Sequence, residues 1–211
     1  LKHKTLTALS REDGLISSQN CTDEIMSGLG FSGANDRLRD IVDWPPSQND
    51  TGWKLAAPEG ERDGYEMVEI NTAVNAFYYR GLKCMSELAG RLGKNEDSVF
   101  YQNQALKTKN TINEKLLNKT TGVYKDGESS QHSSLHANML ALAFDLVPEE
   151  NIKPVVNFIK SRGMACSVYG AQYLLEGLYA AEEADYAFSL ITSASDRSWW
   201  NMIKSGSTIT M

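Results

Sequence analysis

Positive charge, cysteine and long apolar runs are all scarce in this sequence. Its 21 Lys and Arg residues against 27 Asp and Glu give a formal net charge of -6, whereas nucleic-acid-binding modules carry a concentrated basic face. We therefore exclude nucleic acid as a partner. No apolar run approaches the roughly 18 residues that a membrane-spanning helix needs, and the stretch 140–146 is soon followed by proline and acidic residues. We expect no membrane partner.

The three cysteines, Cys21, Cys84 and Cys166, lie far apart, and none has a histidine at ligand spacing. This pattern predicts neither a zinc site nor a disulfide framework, and we expect no metal and no cofactor. The 211 residues, of which 41% are hydrophobic, suffice to bury one core. Because the sequence opens at Leu1 without an apolar secretion signal, we expect it to begin inside a longer chain.

Apolar residues recur at helical spacing along most of the sequence, and an alternating strand pattern is almost absent. The spacing predicts three antiparallel helical hairpins. Their paired segments are 71–92 with 95–116, 132–146 with 152–160, and 169–181 with 184–193. Within each pair the first helix is the more apolar one, which favours an all-α fold with an inner ring of helices covered by an outer ring. An α-solenoid, the alternative, also stacks helix pairs but has a sharper repeat consensus.

The segment from about residue 17 to 69 differs from the rest because it is rich in Gly, Asp, Asn and Pro. It contains Trp44 and Trp53 together with several carboxylates. A long polar loop of this kind on a helical scaffold is often part of a ligand site. The same composition also suits an ordinary surface excursion, and both interpretations stay open at this point.

Six strings occur in the order and approximate spacing of a known family. They are Asp43-Trp44, residues 71–79, residues 132–138, residues 162–175, residues 198–202 and residues 206–211. The set resembles the catalytic domain of bacterial α-L-rhamnosidases of glycoside hydrolase family 78. The resemblance implies that residues 1–211 form part of an (α/α)6 barrel, the six-hairpin glycosidase fold, with a sugar at the barrel mouth.

The family's chemistry, as the resemblance implies it, is inverting removal of terminal α-L-rhamnosyl residues. A general acid protonates the leaving oxygen, and a general base about 6.5 to 9.5 Å away activates water. The family's acid motif lies upstream of Leu1, and its base follows directly on the segment that ends at Met211. We therefore expect no catalytic carboxylate in this chain, about half of the barrel's hairpins, and no activity of the chain alone.

Five residues are candidates for sugar binding by this resemblance: Asp43, Trp44, His132, Tyr169 and Trp200. A carboxylate beside an aromatic face suits a deoxy sugar, whose methyl group and C–H surface favour apolar contact; the alternative is a capping Asp beside a buried Trp. Tyr169 and Trp200 are either core residues or a sugar platform.

His132 and His136 are predicted one helical turn apart, which is also the spacing of paired metal ligands. No carboxylate completes a zinc motif, so we expect His132 to contact sugar or support structure and His136 to be a core histidine. Glu61 and Asp63 are the acids of a glycine-flanked loop, and we expect them to be solvated rather than a surrogate catalytic pair.

The expected partners are a rhamnose-containing glycan or glycoside and the remainder of the parent enzyme, with possible self-association through exposed barrel surface. We expect the parent enzyme in the bacterial periplasm or cytoplasm. Two alternatives remain. One is a six-hairpin hydrolase for another sugar, such as a trehalase-like, glucoamylase-like or unsaturated-uronate hydrolase, because fold alone does not choose a substrate. The other is a non-enzymatic helical scaffold.

Overall fold

The computed structural model describes residues 8–31, 38, 40–43 and 62–208. Within these ranges the chain forms eight α-helices and two short 3-10 helices, and its only β pairs are isolated bridges. The α-helices are α1 (Asp23–Gly28), α2 (Thr72–Arg91), α3 (Asn95–Lys115), α4 (Leu135–Ala143), α5 (Ile152–Arg162), α6 (Val168–Ala180), α7 (Ala184–Ile191) and α8 (Trp199–Lys204). The predicted all-α fold is confirmed.

The three predicted hairpins are α2–α3, α4–α5 and α6–α7. Helix α4 packs against both α2 and α6, while α3, α5 and α7 each pack on the first helix of their own pair. The inner helices are the more buried ones: residues 135–142 of α4 are all buried, whereas α7 buries only Ala187. This burial difference explains the sequence asymmetry, because an inner helix is covered on more sides and needs a wider apolar surface.

The inner helices share one kind of start. Asn71, Ser134, Ser167 and Ser198 cap α2, α4, α6 and α8, and each side chain accepts a hydrogen bond from a backbone N–H in the first turn. The outer helices α3, α5 and α7 have no side-chain cap. Since every hairpin returns the chain to the same side, these four capped ends lie together. We call this side the mouth end.

Two features hold the inner helices close together. A Cβ at Gly177 would lie 3.1 Å from the backbone nitrogen of Ala143, so a glycine permits the tight contact of α6 with the end of α4. Phe77, Phe144 and Tyr173 form a triangle of edge-to-face rings with centroids 5.2 to 5.4 Å apart. The triangle ties α2, the end of α4 and α6 together, which is a favourable aromatic geometry.

The first described segment is fixed to the first hairpin. Leu15 is fully buried, and the Asn75 side chain accepts a hydrogen bond from the Ile16 N–H and donates one to the Ile16 carbonyl. The described part of the 17–69 segment is not wholly irregular, since it contains α1. The start of α1 is capped by Thr22, whose hydroxyl accepts a hydrogen bond from the Ile25 N–H.

Beside this segment lies a network of four alternating charges. Arg11 pairs with Asp13 and Glu128 at 2.6 Å each, and Lys115 pairs with the same two carboxylates at 2.7 and 3.4 Å. The network connects the segment before α1 to α3 and to the turn that follows residue 126. We call it the Arg11 network.

Candidate functional site

Asp126 is a fully buried carboxylate at the mouth end, just before α4. One of its oxygens accepts from the Ser134 N–H at 2.8 Å, and the other accepts from the Glu66 N–H at 2.9 Å and from His132 Nδ1 at 2.6 Å. Because the carboxylate is the acceptor, Nδ1 of His132 carries the proton. Nε2 is then left as the acceptor of a ring that is 33% exposed, so His132 presents an oriented nitrogen that can bind a hydroxyl.

The spacing predicted that His132 lies on α4, and this prediction is wrong. Ser134 caps the helix, whose first residue is Leu135, and His132 lies in the preceding turn. Only His136 belongs to the helix, where it is buried. The two imidazoles thus bond different carboxylates, and no group of three His, Cys, Asp or Glu side chains suited to a metal ion occurs in the part of the chain that the structure describes.

Asp43 and His136 form a second acid–imidazole pair, and this one is enclosed. Asp43 Oδ2 lies 2.6 Å from His136 Nε2, and each side chain is only 3% exposed. The same oxygen accepts from the Ser167 N–H at 3.0 Å. Burial acts to raise the pKa of Asp43, but the hydrogen bonds from His136 and Ser167 outweigh it and hold that pKa below its usual value. Asp43 is therefore an ionised group inside the protein rather than an open ligand.

Two backbone features bring Asp43 to this position. Its φ is 51°, in the left-handed region that Asp tolerates better than most residues. Gly170 in the first turn of α6 leaves room for the carboxylate, because a Cβ there would lie 2.7 Å from Asp43 Oδ2 and 2.9 Å from Cys166 Cβ. Only glycine fits at this point without displacement.

Two further carboxylates lie at the capped starts of α4 and α2. Asp63, with φ of 51°, accepts from the Leu135 N–H at 2.7 Å and lies 3.4 Å from Arg162 Nε. Asp40 accepts from the side-chain amide of Asn71, the cap of α2, at 2.9 Å. Helix N-termini attract anions, and here the chain's own acids lie at the starts of α2, α4 and α6.

Tyr169 and Trp200 are the exposed aromatic candidates, at 59% and 56% exposure. The Tyr169 ring meets Tyr173 edge to face at 5.6 Å, and burial, a hydrogen bond with Tyr173 and the charge of Asp43 raise the pKa of Tyr169 to about 12. Its phenol is neutral at ordinary pH. Trp200 lies in the first turn of α8, beside Trp199, which packs on the core. Trp44 lies outside the described residues.

Sequence reasoning missed Asp126 and underrated Asp63 and His136. Asp126 stands in an ordinary Asp-Gly turn, and nothing in that dipeptide distinguishes it from other turns. The structure explains the glycine that follows it. A Cβ at Gly127 would lie 2.3 Å from the Ile70 carbonyl oxygen, so two chain segments cross there.

Comparison with known proteins relates this fold to one family. Residues 27–211 match the family model of the bacterial α-L-rhamnosidase six-hairpin glycosidase domain. An α-L-rhamnosidase of Alteromonas sp. (strain LOR) is 24% identical over 166 residues, which is 75% of this chain and 18% of that protein.

Two solved structures share the helical arrangement. The GH78 family rhamnosidase of Bacillus sp. GL1 matches with a TM-score of 0.64 and 18% identity, over 96% of this chain and 18% of that one. The α-L-rhamnosidase from Dictyoglumus thermophilum matches with a TM-score of 0.55 and 21% identity, over 64% of this chain and 17% of that one. The chain thus spans less than a fifth of the length of each of these relatives.

Among the described helices none is long and apolar enough to cross a membrane.

Proposed function

Because the chain belongs to the bacterial α-L-rhamnosidase six-hairpin glycosidase domain family, we propose that its mouth end forms one side of a binding site for terminal α-L-rhamnosyl residues. The helices are then part of a six-hairpin barrel, and the substrate is a rhamnose-containing glycan or glycoside. The observation that carries this proposal is His132, an imidazole that is one-third exposed and that buried Asp126 holds in one orientation and one tautomer.

His132 serves as a hydroxyl acceptor in this proposal. With Nδ1 bonded to Asp126, Nε2 is the nitrogen available to a sugar hydroxyl. Gly64 leaves space on this side of the ring. A Cβ at that position would be in van der Waals contact with His132 Cε1, at 3.6 Å, and glycine has none. A fixed acceptor beside a backbone without a side chain suits a sugar ring better than a flexible charged group does, since less conformational entropy is lost on binding.

The choice of a neutral deoxy sugar rests on charge and on aromatic surface. An unsaturated-uronate hydrolase must accommodate a carboxylate, which the acid-occupied helix ends of this mouth would repel. Tyr169 and Trp200 are exposed aromatics at the starts of α6 and α8, and such faces suit the methyl group and C–H surface of rhamnose. These features favour rhamnose over a uronate, the strongest alternative sugar class.

The proposed reaction is hydrolysis with inversion by an acid and a base, and the proposal takes both from outside the described residues. Asp43, Asp63 and Asp126 accept hydrogen bonds from protein N–H groups, and Glu66 accepts one from Ser130. In this proposal these carboxylates hold the mouth end together and take no part in the chemistry. The chain alone is therefore expected to bind sugar without cleaving it.

The last helices carry an apolar surface that fits the proposed partner. Phe188, Ile191 and Ile203 are 39 to 61% exposed on α7 and α8; we call this set the α7–α8 face. In a closed ring the next hairpin packs on this side, so we propose the remainder of the parent enzyme as the natural partner of the α7–α8 face. Copies of the chain alone are expected to associate through it.

The test is a titration of the isotope-labelled chain with L-rhamnose, D-glucose and D-glucuronate, followed by NMR. We expect L-rhamnose to shift resonances of His132 and of α6 near its start, and D-glucuronate to shift none. His132→Ala and Tyr169→Ala should each abolish the response. Tyr179→Ala is the matched control, because Tyr179 is also an exposed tyrosine, at 47% against 59% for Tyr169, and lies at the opposite end of α6.

A response to D-glucuronate with none to L-rhamnose would reject the sugar assignment. Loss of binding in the Tyr179 variant would show that the shifts do not report the mouth end. The same chain is expected to release no nitrophenol from a nitrophenyl α-L-rhamnoside. Turnover abolished by changing Asp63 or Asp126 would refute the proposal that the acid and base come from elsewhere.

A further inference from the structure

The segment 40–43 is attached to the starts of three successive inner helices. Asp40 accepts from Asn71, the cap of α2. Asp43 accepts from His136 in the first turn of α4 and from the backbone of Ser167, the cap of α6. A short stretch of chain therefore joins the starts of these three helices.

The family resemblance suggests that Asp43 contacts sugar, but its surroundings differ from those of a ligand. Its side chain is 3% exposed, and the ring that faces it is equally enclosed. A residue that binds a sugar hydroxyl must offer an oxygen to the open mouth. His132 is a more accessible acceptor of the mouth end, since its side chain is 33% exposed against 3% for Asp43.

His136 is explained by its partner rather than by packing. Its neighbours Leu135 and Ala137 are fully buried apolar residues, and an apolar side chain would suit this position as well. The imidazole instead leaves Nδ1 buried with no hydrogen-bond partner among the described residues. An unsatisfied buried polar atom destabilises a fold, so the bond of Nε2 to Asp43 is the contact that accounts for a histidine here.

Gly170 gives independent support from the other helix. Any other residue at position 170 would bring its Cβ to 2.7 Å from Asp43 Oδ2, which is too close. Asp43 is thus fitted between α4 and α6 by a histidine on one side and by a missing side chain on the other.

We infer that Asp43 is a positioning residue that fixes the starts of α4 and α6 relative to each other, and that it acts on the sugar only through them. The inference rests on the proposed function, because the surface so fixed is the sugar site. Loss of Asp43 should then weaken all sugars that bind the mouth by the same factor. Loss of a direct contact would instead weaken only those sugars that carry the contacted hydroxyl.

The experiment uses the 211-residue chain with Asp43→Ala, Asp43→Asn and Gly170→Ala. The control is Gly81→Ala, since a Cβ at Gly81 in α2 meets nothing within 4 Å. Affinities are measured for L-rhamnose, L-mannose and 2-deoxy-L-rhamnose. The His136 imidazole N–H resonance is followed in the same samples, because an N–H bonded to a buried carboxylate exchanges slowly with water.

We expect Asp43→Ala and Gly170→Ala each to lower the three affinities in parallel, by about tenfold, which is the scale of one lost charge-assisted hydrogen bond. Combining the two should add little, because both remove the same contact. Asp43→Asn should recover part of the loss, since its amide oxygen can still accept from His136. Gly81→Ala should change neither affinity nor resonance.

A loss confined to sugars that keep the 2-hydroxyl would overturn the inference and make Asp43 a sugar ligand. The unmodified chain gives a second measurement should the variants not fold. Its His136 N–H resonance must be present and must persist when L-rhamnose saturates the site, and disappearance on binding would show that Asp43 turns to the sugar. If L-rhamnose does not bind at all, the proposed function fails, whereas the inference about Asp43 is still judged by whether that resonance exists and whether Gly170→Ala removes it.

Discussion

Replacing Asp126 by Asn tests the central contact of the mouth end with the smallest possible change. The amide keeps the shape and leaves one oxygen to accept from the Ser134 N–H. Its NH2 group, however, faces the Glu66 N–H and His132 Nδ1, where the carboxylate oxygen had accepted both. Hydrogen bonds to a charged acceptor contribute about 1.5–3 kcal/mol each. Because His132 can change tautomer and recover one of the two, we expect a loss of about 2–4 kcal/mol in the free energy of unfolding.

A loss of this size is measurable, since small domains have a net stability of about 5–15 kcal/mol. The assay is urea unfolding followed by circular dichroism. Asp145→Asn is the control, because it is the same substitution at a side chain that is 89% exposed; its stability should change by no more than about 0.5 kcal/mol. Equal unfolding midpoints for the two variants would refute the assignment of Asp126 as the residue that organises the mouth.

Two further predictions concern the Arg11 network and the α7–α8 face. Hydrogen bonds from Arg11 lower the pKa of Glu128, and those from Lys115 and neighbouring donors lower the pKa of Asp13 despite its burial. The stabilisation by the Arg11 network is therefore complete above pH values of about 4, where both carboxyls of the unfolded chain are ionised. It is lost as the pH falls through the lower pKa values that Asp13 and Glu128 have in the folded chain. Urea midpoints of a variant with both Asp13→Asn and Glu128→Gln should fall less between pH 6 and pH 3 than those of the unmodified chain, and an equal fall would contradict the network. Phe188→Ser on the α7–α8 face should reduce self-association in light scattering without lowering the melting temperature, and unchanged mass would show that another surface associates.

The helices could be predicted from the sequence because their information is local. Apolar residues at helical spacing and the turns at residues 93–94, 148–151 and 181–183 define α2 to α7 to within a few residues. The greater burial of the first helix in each pair was also readable, since composition follows exposure directly. Helix α1 was not predicted, because six residues are too short for a periodic pattern to stand out.

The contacts of the site were harder to predict because they join distant parts of the chain. Asp126 bonds the N–H of Glu66, sixty residues away, and Asp43 bonds His136 at a separation of 93. No local spacing encodes such pairs. The two histidines illustrate the limit. Their separation of four residues suggested one helical face, but α4 begins only after the Ser134 cap that lies between them, and each imidazole bonds a different carboxylate.

Asp43 and Asp63 bond consecutive residues of α4 although twenty residues separate them along the chain. Asp43 is bonded to the side chain of His136 and Asp63 to the backbone N–H of Leu135, so the two ends of the intervening stretch are anchored to consecutive residues of one helix. The entropy of closing a loop rises only slowly with its length. Residues gained or lost between the two anchors, over evolution or by design, therefore add little to the cost of holding them, and the helices can keep their places.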